Sequence, residues 1–487
     1  MRTRFWFSPI GHWLLLTVLL LAIFLFYQRT IRDGHTWDDD AAQYILHARN
    51  IAEGRDYADT GYIFNPQYAN LGPPAYPPGF PLLLAPIWAA RGLDLNAMKI
   101  LSVICFVGSL GLIYGLFWRR LGAVAALTLV GVFGFCPTIW QQKEFIGSDF
   151  PFLLFAYLAV LAMDHFSLDT QSRIRDAILI APLIAIAYSV RTAGLVLLPV
   201  VACRSLLKSR RLSPFLLVTV LLTVAFCGAE ALWMHSIGAS VSLFHIHPGT
   251  IIRNIWSYGV LLRSFWSFGG HATSSWLLNG LIAALALIGF ANQVRSREGI
   301  GIVEIFAILY TAMLLIYAPV ETRFLYPVIP IYVGLALKGA EDISARIPAR
   351  LATAAGCSAL AMVSLCYAAQ YRQLDWGPIP GSVLDEDFVQ VADFIGSHTA
   401  DNEVLLFRKP RFLALLTGRK AATYAHVPGL GSFVRNLRPG IIVAATSSGD
   451  GSFASDGAFL WPFLRARAGS LQVIYTTPGY SVFRMRW

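Results

Sequence analysis

Charge is what this sequence lacks. Acidic residues number 28 and Lys plus Arg 38 in 487, or 14% charged, and mean hydropathy is +0.58. A soluble globular chain carries about 25% charged residues, so a single soluble domain is excluded. The shortage falls in blocks. Trp13 to Tyr27 (WLLLTVLLLAIFLFY) carries no charge. With its flanks it is long enough for a bilayer core of ~30 Å. No small-residue cleavage site follows, so it reads as a retained transmembrane helix and not a signal peptide. Similar runs at about 96–118, 121–139, 150–166, 176–190, 193–207, 214–236, 276–292, 301–318, 324–338 and 351–369 bring the expected spans to eleven. Cysteine is scarce too. Residues 105, 136, 203, 227, 357 and 366 all lie in apolar runs, with no CxxC pair, so disulfide staples outside the membrane are excluded and packing is their expected role. Internal repeats and low-complexity tracts are absent.

The basic residues that remain are ordered. Arg2 and Arg4, Arg119 and Arg120, Arg173 and Arg175, Lys208 to Arg211, Arg295 and Arg297, and Lys338 to Arg350 fall on alternate connections. The positive-inside rule then places the N-terminus in the cytoplasm and, with eleven spans, the C-terminus outside. The net charge of +10 is thus topological and is not the footprint of a nucleic-acid partner. The expected fold is an α-helical polytopic membrane domain over 1–370 and an external α/β domain over 371–487. In that domain, helical spacing over 387–397 and 410–416, a glycine stop at Gly418, and strand-like runs at 403–407, 441–444 and 473–475 alternate. A first external loop spans about 29–78, and another, rich in His, Trp and Ser, about 236–275.

Against this background the stretch WDDDAAQY is conspicuous, with Asp38, Asp39 and Asp40 adjacent. One reading is a helix cap: Asp40 followed by Gln43 has the spacing of a capping box, and acids favour a helix N-terminus. One cap needs one acid, however, and three adjacent carboxylates repel. A second acid, Asp149 in IGSDFPFLLF, stands at the outer mouth of the fourth span, where it too can cap a helix or face a cavity shared with Asp40. YPPGFP (Tyr76, Pro77, Pro78 onward) dictates a stiff turn before the next helix, in a loop with tyrosines at 57, 62, 68 and 76. Arg191 interrupts an apolar run, where a charge is costly and is paired or functional. Arg323 lies near the outer end of the tenth span, and Lys143 just precedes Asp149. Cations beside carboxylates suit a phosphate-bearing ligand, although Glu144, Glu321 or a lipid headgroup are equally good partners for them. Glu230 and Glu304 lie inside spans with no assigned role, and His245, His247 and His271 show no metal-specific spacing.

Taken in order, Asp40-Ala-Ala-Gln-Tyr44 with Ala48-Arg49-Asn50 and Glu53-Gly54, then YPPGFPLLLAP, Ser148-Asp149-Phe-Pro151-Phe, Arg191-Thr-Ala-Gly194-Leu, Arg323-Phe-Leu-Tyr-Pro327 and RKPRFLALLTGRKA resemble the polytopic GT-C glycosyltransferases. The similarity is to the group of bacterial protein O-mannosyltransferases and lipid A aminoarabinose transferases (glycosyltransferase family 39-like). It implies transfer of a sugar from a polyprenyl-phosphate or dolichyl-phosphate donor to an acceptor hydroxyl on a protein, lipid A or an envelope glycan. By that resemblance Asp40 is the catalytic base, with Asp39 as the alternative register. Asp149 is the second acid, placing acceptor, base or a divalent cation. Arg191, Arg323 and Lys143 face the donor phosphate, and Tyr44, Tyr76, Pro77 and Pro78 form the substrate loop. A divalent cation stays open as a cofactor and no other is implied. The expected setting is a bacterial cytoplasmic membrane, with its lipids as partners. The chemistry is consistent: a carboxylate takes the hydroxyl proton, and cations stabilise the departing lipid phosphate. A transporter or flippase of lipid-linked glycans is the rival class, but it would place its ionisable groups near the bilayer midplane between repeats. A non-catalytic scaffold has no use for the acid pair. An oligosaccharide-transferring relative fits the same features.

Overall fold

The computed structural model describes residues 11–65, 71–166, 174–209, 213–234, 244–268, 272–296, 299–424, 429–446 and 453–487. Tyr68, His271 and the arginines at 2, 4, 173, 210, 211 and 297 lie outside them. Helices α1 (Gly11–Arg29), α2 (Asp39–Glu53), α3 (Gly79–Arg91), α4 (Leu95–Leu121), α5 (Ala123–Gly134), α6 (Pro137–Trp140), α7 (Asp149–His165), α8 (Ile174–Val190), α9 (Leu197–Ser209), α10 (Pro214–Met234), α11 (Pro248–Ser264), α12 (Ala272–Arg295), α13 (Ile302–Ile316), α14 (Ile329–Ser344) and α15 (Ala349–Tyr371) occupy the first three quarters of the chain. Each of the eleven expected spans overlaps at least one of these helices. Among the described residues five of them, α1, α4, α10, α12 and α15, are long and apolar enough to cross a membrane. A sixth is counted if α5 and the Pro137–Glu144 stretch, bent by 52° at Cys136, are one span. The other expected spans coincide with α7, α8, α9, α13 and α14, of 17, 17, 13, 15 and 16 residues.

The bundle has chemically distinct ends. At one end Arg120, in the last turn of α4, bonds Asp164 at 2.6 Å and Glu304 at 3.3 Å. Glu304 also accepts from the Gly301 N–H, which gives it a capping role. At the opposite end lie the starts of α2 and α7 and the end of α13, and there Asp40, Asp149 and Arg323 sit. The segment 236–275, expected as a loop, holds α11, whose Asn254 amide donates to the Leu315 and Tyr317 carbonyls at 3.0 and 2.7 Å.

The C-terminal stretch adds α16 (Glu386–His398), α17 (Pro410–Thr417), α18 (Leu430–Leu437) and α19 (Trp461–Arg465), with strands β2 (Val404–Leu406), β3 (Lys420–Ala422), β4 (Ile441–Ala445), β5 (Leu471–Thr476) and β6 (Tyr480–Met485). Gly418 ends α17 in the left-handed region, at φ 68°. The sheet has six strands in the order β1-β3-β2-β4-β6-β5, parallel through β4 and antiparallel beyond it. Its first strand, β1 (Tyr62–Ile63), comes from the loop after α2 and pairs in parallel with β3. One apolar cluster runs from Ala41, Ile45 and Phe80 through Met98 into Phe388, Leu405, Phe412 and Ile441. Trp37 is its keystone: the indole is 5% exposed and meets Phe388 at 4.6 Å and Phe453 at 5.0 Å, edge to face. Burying a tryptophan among aromatic edges stabilises through both area and ring geometry. Trp37→Ala is therefore expected to cost about 3–5 kcal/mol and to loosen the C-terminal module from α2. Thermal unfolding of the detergent-solubilised protein, with limited proteolysis between 371 and 386, checks this; an unchanged melting temperature and cleavage pattern would remove Trp37 from this role.

Candidate functional site

The site begins with how α2 starts. Asp38 is the N-cap, in extended conformation, and its Oδ1 accepts from the Asp40 N–H at 3.2 Å. The expected capping box built on Asp40 and Gln43 is not formed. Gln43 is buried and donates from Nε2 to the Pro74 carbonyl at 2.5 Å, because the loop before YPPGFP folds over it. Successive helical residues turn by about 100°, so three adjacent acids face three directions. Asp39 points into the seam with the C-terminal module. The residue is 4% exposed, and neither carboxylate oxygen has a hydrogen-bond partner among the described residues. Burial pushes its pKa up to about 6, against the pull of Lys409, Arg411 and Arg408. Asp39 thus lies in the seam and is not among the residues that line the cavity described below.

Asp40 faces the centre. Its Oδ1 accepts from the Tyr76 hydroxyl at 2.5 Å and lies 3.3 Å from Arg411 Nη1, and its Oδ2 lies 3.5 Å from Arg323 Nη2. Burial raises the Asp40 pKa, but Arg411, Arg323 and the Tyr76 hydroxyl outweigh it, and the net shift is downward. Asp149 is buried and is likewise no cap: Ser148 precedes the helix without a side-chain cap bond. The Asp149 Oδ1 accepts from Arg191 Nη1 at 2.7 Å, while its Oδ2 accepts from Gln142 at 3.3 Å and lies 3.6 Å from Arg323 Nη1. Arg323 therefore stands between the two acids, with its Nε 2.5 Å from Glu321.

The breaks that deliver these arginines follow from sequence. Arg191 is extended (φ −155°, ψ 130°) between α8 and a 3-10 turn over Thr192–Val196. Gly194 lets that turn fold back, since a Cβ there would sit 2.4 Å from the Ala187 carbonyl carbon. Gly79 does the same for α3, where a Cβ would meet the Ser189–Val190 peptide at 2.7 Å. The Pro-Pro-Gly turn thus docks directly beside Arg191, and Pro77 and Pro78 serve the backbone while Tyr76 supplies the contact. The Tyr44 hydroxyl donates to Ser148 at 2.9 Å, and its ring packs 4.9 Å from Tyr76.

Two histidines absent from the sequence reading complete the frame. The His47 Nε2 accepts from the Tyr76 N–H at 3.1 Å while its Nδ1 bonds the Tyr57 carbonyl at 2.8 Å. The His35 Nε2 accepts from the Ile146 N–H at 3.2 Å and ties the lead into α2 to the lead into α7. Burial pushes their pKa values down to about 3 and about 4, so both are neutral rods. Lys143 is not brought to the centre. It is buried against Glu144 with its ammonium 3.5 Å from the Trp140 ring centroid, and Glu144 also bonds Lys99 at 3.0 Å. Glu230 bonds Ser189 on the neighbouring helix.

The residue that sequence reasoning missed is Arg411. It is fully buried in the first turn of α17, donates to the Tyr76 hydroxyl and the Pro73 carbonyl at 3.0 Å each, and lies over the Tyr62 ring at 4.6 Å. A signal existed in PRFLALLT, where Arg411 shares a helical face with Ala414 and Leu415. No three His, Cys, Asp or Glu side chains converge among the described residues, and the carboxylates that face each other already hold guanidinium groups.

A cavity of about 900 Å³ opens beside Arg323. Asp38, Glu321 and the amides of Gln141, Gln142, Gln370 and Gln373 line it.

Removing Arg411 takes one donor from the half-buried Tyr76 hydroxyl, which keeps its bond to Asp40, and leaves one face of Asp40 without its cation. Arg411→Ala is expected to cost on the order of 3 kcal/mol, on the low side for a broken buried pair because Asp40 keeps Arg323. Arg411→Lys is not expected to restore it, since one ammonium cannot span both planar contacts. The sign with pH is fixed by the lowered carboxyl: its contribution is present above the ordinary Asp range and is lost as pH falls through the depressed value. Arg411→Ala should move that acid limb to higher pH. Melting curves across acid pH decide it, and coincident curves for variant and wild type would refute the strut.

No protein-family model matches the chain, and no curated protein sequence does. Solved structures do. ArnT from Cupriavidus metallidurans, solved bound to undecaprenyl phosphate, is similar with a TM-score of 0.60 at 12% identity over 98% of each chain. The archaeal oligosaccharyltransferase AglB from Archaeoglobus fulgidus, solved with an inhibitory peptide and a dolichol-phosphate, gives 0.61 at 12% identity over 91% of this chain and 71% of that one. The arabinofuranosyltransferase AftD from Mycobacteria gives 0.52 at 13% identity over 97% and 40%. This chain is an integral membrane protein with the fold of the GT-C glycosyltransferases, the architecture its ordered motifs resemble.

Proposed function

We propose that this protein is a membrane glycosyltransferase that moves a sugar from a polyprenyl-phosphate or dolichyl-phosphate donor to an acceptor hydroxyl on the outer face of a bacterial cytoplasmic membrane. The observation that carries the reading is Arg323 standing between two helix-start carboxylates, at 3.5 Å from Asp40 and 3.6 Å from Asp149. An exposed acid pair needs no arginine between its members, and a purely structural pair needs no opening beside it. On this reading Arg191 is committed, since its contact with Asp149 at 2.7 Å is a full charge-assisted bond. Both Nη groups of Arg323 stand at the outer limit of hydrogen bonding to their carboxylates, so they are the donors available to a phosphate. The similarity to ArnT and AglB, solved with lipid phosphates, supports that class of ligand.

In the reaction an acceptor oxygen attacks the anomeric carbon as a carboxylate at the start of α2 takes its proton, and the C–O bond to the lipid phosphate breaks. The resemblance assigns the proton to Asp40. One displacement inverts the anomeric centre and needs no carboxylate nucleophile. Stabilisation of the leaving phosphate falls to Arg323, with Arg191 holding Asp149 in place, and no step is routed through a metal. The alternating basic connections support a cytoplasmic N-terminus and an external C-terminal module, and all eleven helical segments are then read as crossing the membrane. The rival, a flippase, finds little support in ionisable groups gathered at one end of the bundle. Transfer of radiolabel from a panel of polyprenyl-phosphate sugars into membrane fractions tests the reading. Wild type should transfer, and Arg323→Ala and Asp149→Asn should each lose about 10²–10³-fold in rate while still inserting and folding. Undiminished transfer by Arg323→Ala would sink the assignment of the phosphate site.

A further inference from the structure

Asp38 and Asp40 are two residues apart, yet their surroundings differ in kind. Asp40 receives the Tyr76 hydroxyl, Arg411 and Arg323. Such a carboxylate stays ionised, but it is a reluctant proton acceptor, because protonation would weaken three favourable contacts at once. Asp38 makes no ion pair among the described residues. One of its oxygens caps the Asp40 N–H, and the side chain lines the cavity of about 900 Å³. That volume is in the range of a small-molecule site. Four glutamines line the cavity; the Nε2 groups of Gln141, Gln142 and Gln370 each donate one bond within the protein, but a primary amide has a second N–H and a carbonyl oxygen beyond such a bond, the complement of a ring bearing several hydroxyls.

We propose that Asp38 is the general base, taking the proton of an acceptor hydroxyl held in the glutamine-lined cavity, and that Asp40 is a positioning carboxylate that sets Arg323 and Tyr76. The acceptor is then itself a carbohydrate, and not the short hydroxyl side chain of a protein. This rests on the glycosyltransferase reading and departs from the base that the resemblance assigns. In the step the acceptor O–H proton passes to the Asp38 carboxylate and its oxygen bonds the anomeric carbon. The bond from that carbon to the phosphate oxygen breaks with its electron pair leaving on the lipid phosphate beside Arg323. The charged groups facing Asp38 are Asp39 and Asp40 on its own helix start, and Arg323 and Glu321 across the cavity. Burial and Asp40 together push the Asp38 pKa up to about 7 against the pull of Arg323, where a base is most effective near neutral pH.

The test compares full-length wild type with Asp38→Asn, Asp38→Glu and Asp40→Asn, in membranes supplied with radiolabelled polyprenyl-phosphate sugars. Asparagine is as good an N-cap as aspartate, so Asp38→Asn removes the base and keeps the helix start, which melting curves verify. Wild-type kcat/KM should rise with pH through the neutral range. Asp38→Asn should fall by about 10²–10⁴-fold and lose that dependence with donor KM little changed. Asp38→Glu should recover part of the rate. Asp40→Asn should raise donor KM and keep the pH dependence in its residual activity. A fully active Asp38→Asn, or a pH dependence that disappears with Asp40→Asn instead, overturns the base assignment alone. A folded wild type that transfers nothing from any donor overturns the glycosyltransferase reading, and Asp38 with it. Labelled product recovered on protein and not on glycan overturns the carbohydrate acceptor.

Discussion

Two carboxylates at neighbouring helix starts, Asp40 and Asp149, share one site; Arg323 stands between them, and Arg411 and Arg191 take their other sides. At 4 Å and an effective dielectric of 20, an ion pair is worth about 4 kcal/mol, enough to hold each acid against its own burial. The fold is arranged around delivering guanidinium groups to this point. A helical side chain cannot turn over the end of a neighbouring helix, so each arginine sits where a helix breaks or begins. Arg191 lies between α8 and its 3-10 turn, Arg323 in a 3-10 turn after α13, and Arg411 in the first turn of α17. The glycines at 79 and 194 are required because those breaks fold directly onto α8.

Much of this arrangement is legible in the sequence, and the illegible part has identifiable causes. Apolar runs reveal where helices lie but not how many cross a membrane, because helix bounds do not follow the apolar run: α14 begins after the 3-10 turn at Thr322–Leu325 and continues through Lys338, Glu341 and Asp342. The spacing Asp40 to Gln43 imitates a capping box, yet tertiary contacts give Gln43 better partners and the cap passes back to Asp38. Lys143 looks like Arg191 and Arg323, a cation near an acid, but its neighbour Glu144 answers it within one turn. Partnering between adjacent residues is local, and the bridging of Asp40 with Asp149 by Arg323 is not. The position of both acids at helix starts on one face pointed to their convergence, but not to the arginine between them. Strand β1, two residues long, leaves no periodicity to detect.

Arg411 shows where such reading stops. It lies in a segment that alternates helix and strand as a separate soluble unit would, and basic residues in such units are usually solvated. Here the module's sheet borrows β1 from the loop after α2, its aromatic core encloses Trp37, and Lys409 donates to the Trp37 carbonyl at 2.5 Å. The chain immediately before the three acids is therefore anchored in the module, and the chain after them in the bundle.

That anchoring explains why three acids stand together. With Trp37 fixed on one side and Ala41 and Ile45 packed in the shared core on the other, rotation about α2 is set, and consecutive residues must face cavity, seam and centre in turn. A smaller residue in place of Asp39 would leave Lys409 and Arg411 short of counter-charge exactly where the module meets the bundle. An uncharged Asp40 would do the same to Arg411 and Arg323. A C-terminal module that served only to recognise a partner would tolerate any linker to the helical bundle. One that buries an arginine against the central carboxylate is instead a wall of the site, and its docking geometry sets the position of the acid it touches.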